Sequence, residues 1–278
     1  MMWTFINDQW VEAEYARLHV NDLSVQRGYG FFDFFRTVNH QPLFIDDHLA
    51  RLQNSASVLR LPLPYSTAQL KQIVEKLINR NQLATSGIRI TVTGGYAADT
   101  YTISTPNIII IQTPLIMDEV FDENKGIHLI TEEYVRELPT VKSINYLMGV
   151  YLQQKVKDAG ADDVLYVKNG CISELPRSNV FVVTADDKLI TPNENVLSGI
   201  TRKHILQIAK PLMEVKEQSV TLDDVLRAKE VFVSSTTKRL LPVLSVNGKS
   251  IANGKAGAVT ADLYQHFLQL EQQFNSKS

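Results

Sequence analysis

The chain has 278 residues, 44% of them hydrophobic and 21% charged, with a formal net charge of −2. That length favours two modest domains over one, the composition is ordinary for a globular protein, and the lack of a basic excess argues against a nucleic-acid partner. No apolar run approaches the roughly 20 residues of a membrane span, the opening "MMWTFINDQWVEAE" lacks a basic region ahead of an apolar core, and the single Cys171 excludes an internal disulfide, which together point to the cytoplasm.

In chain order, "WTFINDQWVE" alternates as strand around an Asn7-Asp8 turn. Gly28-Tyr29-Gly30 lacks the third glycine of a dinucleotide fingerprint and reads as a turn entering a strand; "FFDFFRTVNHQPLFI" then reads as a hairpin turning at Asn39-His40. Asp46-Asp47 favour a helix N-terminus, and "HLARLQNSASVL" continues with helical spacing. A second helix, "STAQLKQIVEKLINRN", is capped by Ser66 or Thr67. "GIRITVTGG" and "PNIIIIQTPL" are strands, and the all-apolar centre of the latter predicts burial on both faces. The polar, acidic "MDEVFDENKG" marks a boundary, which divides the chain into a smaller domain over 1–116, a linker over 117–125 and a larger domain over 126–278. Beyond it come the strand-like "IHLITEEYV", a helical stretch entered at Pro139-Thr140, "DVLYVKNGCISEL" and "SNVFVVTADDKLITP". A helix from Thr201, "EVFVSSTT", "LPVLSVNGKSI" and a C-terminal helix complete a mixed α/β chain.

The six histidines (19, 40, 48, 128, 204 and 266) show no metal-ligand spacing, and neither H-E-x-x-H nor G-x-S-x-G occurs, so no catalytic zinc or serine hydrolase is expected. Four features ask for an explanation. Lys142 precedes Ile144, Leu147, Met148, Tyr151 and Leu152 at helical spacing; it is either a solvated first-turn charge or an amine aimed into a cavity. Ser198-Gly199 leads into a helix whose Ile200 and Thr201 N–H groups make either an ordinary capped start or an anion site. Ser234 to Thr237 end an apolar strand as four hydroxyl residues, loop filler or donors to a phosphate or carboxylate, with Thr201 and Arg51 as further donors. Glu174, before Pro176-Arg177-Ser178-Asn179, is either an exposed loop carboxylate or one trapped between strands that needs a cation.

One amine, one carboxylate for a ring nitrogen and a phosphate cup together suit pyridoxal 5′-phosphate, whose ring stabilises a carbanion at a substrate's α-carbon. In family order, "HLARL", "KSIN" before an amphipathic helix, "ISELPRSNVF", "LSGITR" and "VSSTT...LPV" resemble the class IV (fold type IV) aminotransferases from about residue 4 to residue 275. That family includes branched-chain and D-amino-acid aminotransferases and aminodeoxychorismate lyase. The resemblance implies a two-domain fold type IV enzyme of the D-amino-acid aminotransferase kind, with the active site between the domains and completed by a loop from the second subunit of a homodimer. Lys142 matches the Schiff-base lysine and proton carrier, and Glu174 the partner of the pyridine nitrogen. Arg51, Ile200, Thr201 and Thr236 match the phosphate contacts, Ser178 and Asn179 the loop beside the cofactor, and Tyr146 a group reaching the phenolic oxygen.

The sequence departs from the family motif G-D-G-x-(F/Y)-E at its start, where Tyr29 replaces the aspartate and Asp33 the glutamate. The four phenylalanines are either plain core or, on the cavity face, a lining for an apolar pocket, with Phe32 and Arg36 the candidates for that face; Arg89 is either a substrate-carboxylate contact or a solvated strand arginine, and Thr237 is a further substrate candidate. Gly94 stands where the D-amino-acid enzymes carry an arginine, which points away from D-amino acids. The expected function is transfer of an amino group between an amino acid, branched-chain or otherwise apolar, and a 2-oxo acid. The competing one is release of pyruvate from aminodeoxychorismate by the same proton abstraction.

Overall fold

A computed structural model describes residues 2–117 and 120–276. Met1, Asp118, Glu119, Lys277 and Ser278, which the expected domains and linker include, lie outside the described residues. The chain forms two compact units, one of Met1–Ile116, Val141–Asn145 and Phe274–Ser278, the other of Met117–Thr140 and Tyr146–Gln273.

The first unit contains β1 (Trp3–Ile6), β2 (Gln9–Glu12), α1 (Leu23–Arg27), β3 (Gly30–Val38), β4 (Gln41–Pro42), α2 (Ile45–Val58), α3 (Thr67–Asn81), β5 (Ser86–Thr93) and β6 (Asn107–Pro114). Among the described residues its sheet has the order β2-β1-β6-β5-β3-β4, every pairing antiparallel. The local chemistry explains the helices. Ser66 and Gln69 form a reciprocal capping box that starts α3, and Gly28 in the left-handed conformation ends α1. Leu49 and Leu52 of α2 and Leu70, Val74 and Leu77 of α3 recur at helical spacing and pack on Phe31, Phe35, Ile88, Ile90 and Ile110 of the sheet. On β6, Ile108 and Ile110 are buried while Ile109 and Ile111 are only half-buried, so burial on both faces is not observed. The helices cover one face of the sheet, and the alternation hidden by four successive isoleucines follows from that.

The second unit contains β7 (Ile127–Glu133), α4 (Leu147–Tyr151), α5 (Gln153–Asp158), β8 (Asp163–Lys168), β9 (Cys171–Ile172), β10 (Glu174–Leu175), β11 (Ser178–Val183) and β12 (Leu189–Pro192). It continues with α6 (Ile200–Ala209), β13 (Val215–Gln218), α7 (Leu222–Leu226), β14 (Glu230–Ser235), β15 (Arg239–Val246), β16 (Lys249–Ser250) and α8 (Ala258–Ser276) as far as Gln273. Its sheet runs β13-β12-β11-β14-β15-β7-β8-β9, with β10 on β11 and β16 on β15. Valines of β11, β14 and β15 fill one side, and Phe181 and Phe232 stack with centroids 4.9 Å apart. Glu230 at the start of β14 accepts from the Val259 and Thr260 N–H groups and so caps α8.

The stretch after Pro139 departs from expectation. Val141–Asn145 is not helical and is joined to β3 by an isolated bridge between Phe31 and Ser143: Phe32 N–H donates to Lys142 C=O at 2.9 Å, and Ile144 N–H to Gly30 C=O at 3.1 Å. Those backbone groups are committed to β3, so the helix starts only at Leu147 and is interrupted at Leu152. The predicted core-facing stripe fails with it. Leu152 is buried, but Leu147 and Tyr151 are 77% and 75% exposed.

Candidate active site

Lys142 belongs to the first unit. Its own N–H donates to Ser55 Oγ of α2 at 3.4 Å, and its Nζ stands 4.8 Å from the centroid of the Phe32 ring. Gly30 permits the close approach of this segment to the sheet. A Cβ there would lie 2.6 Å from Val92 C=O and 3.1 Å from the Ile144 side chain. Strand periodicity divides β3 into two sets. Phe31, Asp33 and Phe35 belong with the helices, while Phe32, Phe34 and Arg36 alternate with them. Phe32 and Arg36 are both buried. Arg89 of β5, half-buried and in register with Phe34, holds its guanidinium 4.1 Å from the Phe32 ring centroid. Two cations therefore share one aromatic ring.

Arg51 is buried on α2, where its Nε donates to Asp33 Oδ2 at 2.8 Å and its Nη2 to Asp33 Oδ1 at 2.9 Å. His48 Nδ1, one turn earlier, is 2.6 Å from Asp33 Oδ1; because the ionised carboxylate only accepts, the imidazole proton sits on Nδ1. Burial by itself would raise the Asp33 pKa, but the Arg51 and His48 charges outweigh it and hold the carboxyl well below the usual range. Burial lowers the His48 pKa despite Asp33. The aspartate that replaces the motif's glutamate thus receives the arginine of "HLARL".

Tyr146, Glu174, Ser178, Asn179, Ile200, Thr201, Thr236 and Thr237 belong to the second unit. Tyr146 is half-buried at the entrance of α4. Glu174 is buried, not an exposed loop residue. It accepts from Arg136 Nε at 2.7 Å and from Leu197 N–H at 2.9 Å. Asn179 stands opposite Glu174 across β10 and β11, opposite Ser234 across β11 and β14, and donates its amide to Leu197 C=O at 2.9 Å. The 196–199 loop therefore ties the carboxylate to the start of α6. Gly199 is the N-cap, with no side-chain cap over Ile200 and Thr201 and no acidic residue in the first turn. A Cβ at Gly199 would lie 2.1 Å from Asn179 Oδ1. Ser234 Oγ is buried without a hydrogen-bond partner among the described residues. Thr236 is half-buried and Thr237 exposed in the turn after β14.

This donor set fits the cofactor inferred from the sequence. Uncapped N–H groups, the buried Thr201 and the unpartnered Ser234 hydroxyl suit a phosphate, with no carboxylate in the first turn of α6 to oppose it. Glu174 is a buried carboxylate held by Arg136 and the Leu197 N–H, and an ionised carboxylate is an acceptor suited to a protonated ring nitrogen. Sequence reasoning missed Arg136, His48 and the role of Asp33. Asp33 carried a signal, a carboxylate among four phenylalanines; Arg136, 38 residues from Glu174, carried none. Among the described residues, no group of three His, Cys, Asp or Glu could hold a metal, and no helix is long and apolar enough to cross a membrane.

Residues 30–246 match the model of the amino-transferase class IV family. A D-alanine aminotransferase of Bacillus licheniformis is 31% identical, over 94% of each chain. The solved branched-chain amino acid aminotransferase from Escherichia coli shares 28% identity, covers 97% of this chain and 94% of its own, and superposes with a TM-score of 0.86. That of Thermoproteus uzoniensis with norvaline, at 22% identity, covers 98% of this chain and 97% of its own at a TM-score of 0.86, a likeness of fold. The chain belongs to the class IV aminotransferases and is a pyridoxal 5′-phosphate-dependent transaminase.

Proposed function

We propose that the enzyme transfers amino groups between apolar amino acids, branched-chain ones included, and 2-oxo acids. The observation that carries this reading is the Phe32 ring, whose centroid lies 4.8 Å from the Lys142 amine and 4.1 Å from the Arg89 guanidinium. An apolar surface beside a carboxylate-binding cation suits a substrate that is hydrophobic at one end and anionic at the other. Gly94, in place of the arginine expected of D-specific enzymes, supports the L series.

When bound, pyridoxal 5′-phosphate supplies the ring that accepts the electron pair left as the α-carbon loses its proton. Lys142 Nζ is the amine that would hold the cofactor, take that proton and return it. Glu174 would face the ring nitrogen, and the hydrogen bond from Arg136 would fix the direction of its carboxylate. Ile200, Thr201, Ser234 and Thr236 would hold the phosphate, with Arg51 as a further cation and Ser178, Asn179 and Tyr146 around the ring. Arg36 and Thr237 would complete the substrate contacts. In this reading Asp33 acts through Arg51 as a positioning residue. We also infer a cytoplasmic homodimer. The exposed Leu147, Val150 and Tyr151 on and around α4 support an interface there, and the free thiol of Cys171 suits a reducing compartment.

The test is a visible absorption scan of the cofactor-loaded protein as L-leucine, L-glutamate or D-alanine is added without an oxo acid. Bleaching of the visible band by L-leucine is expected. Bleaching by D-alanine alone would reverse the stereochemical part of the proposal, and pyruvate released from aminodeoxychorismate with none of the three reacting would favour the lyase.

A further inference from the structure

Arg202 lies outside the residues assigned above, in the first turn of α6 directly after Thr201. A cation is poorly suited to that position. The N-terminal end of a helix carries partial positive charge, which favours carboxylates, and the first turn of α6 has none. Arg202 is also buried, so its charge is withdrawn from water as well as opposed by the helix.

Its bonds show what it holds. Nη2 donates to Pro192 C=O at the end of β12 at 2.9 Å, and stands 2.9 Å from Glu217 Oε2 of β13. β12 and β13 are parallel neighbours, with Thr191 opposite Glu217 and Pro192 opposite Gln218. One guanidinium nitrogen therefore fastens the start of α6 to both strands. The bond to Pro192 also closes the 193–199 loop at its base. Within that loop Gly199 N–H donates to Leu197 C=O at 2.8 Å, and Leu197 N–H donates to Glu174 Oε2 at 2.9 Å. Arg202 Nε, by contrast, is buried with no hydrogen-bond partner among the described residues. An unmet buried donor detracts from stability, so this side chain is a poor choice for stability alone. Its placement points to a task at the start of α6.

We propose that Arg202 is a positioning residue for the cofactor phosphate. It acts through the first turn of α6, fixing the direction of the Ile200 and Thr201 N–H groups, and does not itself touch the phosphate. This rests on the reading of α6 as the phosphate site. A guanidinium suits the task because its N–H bonds diverge in a fixed plane, whereas an ammonium turns freely about its stem.

The test compares pyridoxal 5′-phosphate with pyridoxal, which lacks the phosphate, in titrations of the full-length apoprotein. It uses the wild type, Arg202→Gln and Arg202→Lys. The wild type should bind the phosphorylated form more tightly. In Arg202→Gln the ratio of the two affinities should fall at least about tenfold, with pyridoxal binding within about twofold of the wild type. Arg202→Lys keeps the charge without the fixed directions, and its ratio should fall at least about threefold. That variant decides the matter if Arg202→Gln does not fold. The phosphorus resonance of bound pyridoxal 5′-phosphate should also shift in the variants. A ratio within about twofold of the wild type overturns the proposal. An equal loss for both ligands overturns it too, because a purely structural clamp would act on both alike. A wild type that binds the two ligands equally fails at an earlier step: α6 is then not the phosphate site, and the role of Arg202 falls with that reading.

Discussion

Asp33, His48 and Arg51 show how much rests on one carboxylate. The Arg51 guanidinium is buried against it, so Asp33→Asn leaves that charge without its counter-ion, and unfolding by urea should show a loss of about 3–5 kcal/mol. The same cluster sets an acid limit. Asp33 has a lowered pKa in the folded chain, so its contribution is present above its ordinary value of about 3.9 and is lost as pH falls below it. His48 has a lowered pKa as well, so below about pH 6.5 the unfolded chain takes up a proton that the folded chain refuses. Both effects have the same sign. The melting temperature should decline from about pH 6.5 downward, and Asp33→Asn, His48→Gln should flatten that slope. With Lys142 as the proposed cofactor-holding amine, Lys142→Ala should reduce transamination by about 10²–10⁴ in steady-state assays while leaving the melting temperature near that of the wild type.

Among the elements, the start of α6 is the most exposed to a small change. A methyl group at Gly199 would meet Asn179 Oδ1 at 2.1 Å, and Asn179 also holds the Leu197 carbonyl whose N–H reaches Glu174. Gly199→Ala should therefore disturb the start of α6 and the setting of Glu174 together, the groups proposed to hold the phosphate and to face the ring nitrogen. Titration of the apoprotein with pyridoxal 5′-phosphate should show an affinity at least about tenfold weaker, or 1.4 kcal/mol. By contrast, the start of α3 depends on its own residues, Ser66 and Gln69, and Ser66→Ala should cost about 1 kcal/mol of stability with the cofactor affinity unchanged.

For the whole molecule, α4 offers a further prediction. Leu147, Val150 and Tyr151 are 77%, 61% and 75% exposed, in a helix whose sequence reads as core-forming. In the proposed homodimer that face would be covered by a second copy, which suits residues this apolar. Light scattering should give about twice 31.3 kDa for the wild type. Leu147→Lys with Val150→Lys should lower that mass or, if the mass is unmoved, place the interface elsewhere.

What could be read from the sequence had local causes. The capping box of α3, the carboxylates opening α2, the Asn39-His40 hairpin and the glycine before α6 act over a few residues, and each element formed where its residues indicated. The order of the five motifs was likewise enough to indicate the family. Tertiary structure decided what joins distant segments. Lys142 reaches Ser55 across 87 positions, Arg136 reaches Glu174 across 38, and Lys238 reaches Ser178 across 60. Periodicity predicted one helix from Pro139, but the backbone groups of Val141–Asn145 pair with β3, and those tertiary hydrogen bonds prevail over a weak local propensity. The lysine was therefore legible in the chain as a candidate, while its non-helical setting and its place beside Phe32 came from the tertiary hydrogen bonds to β3.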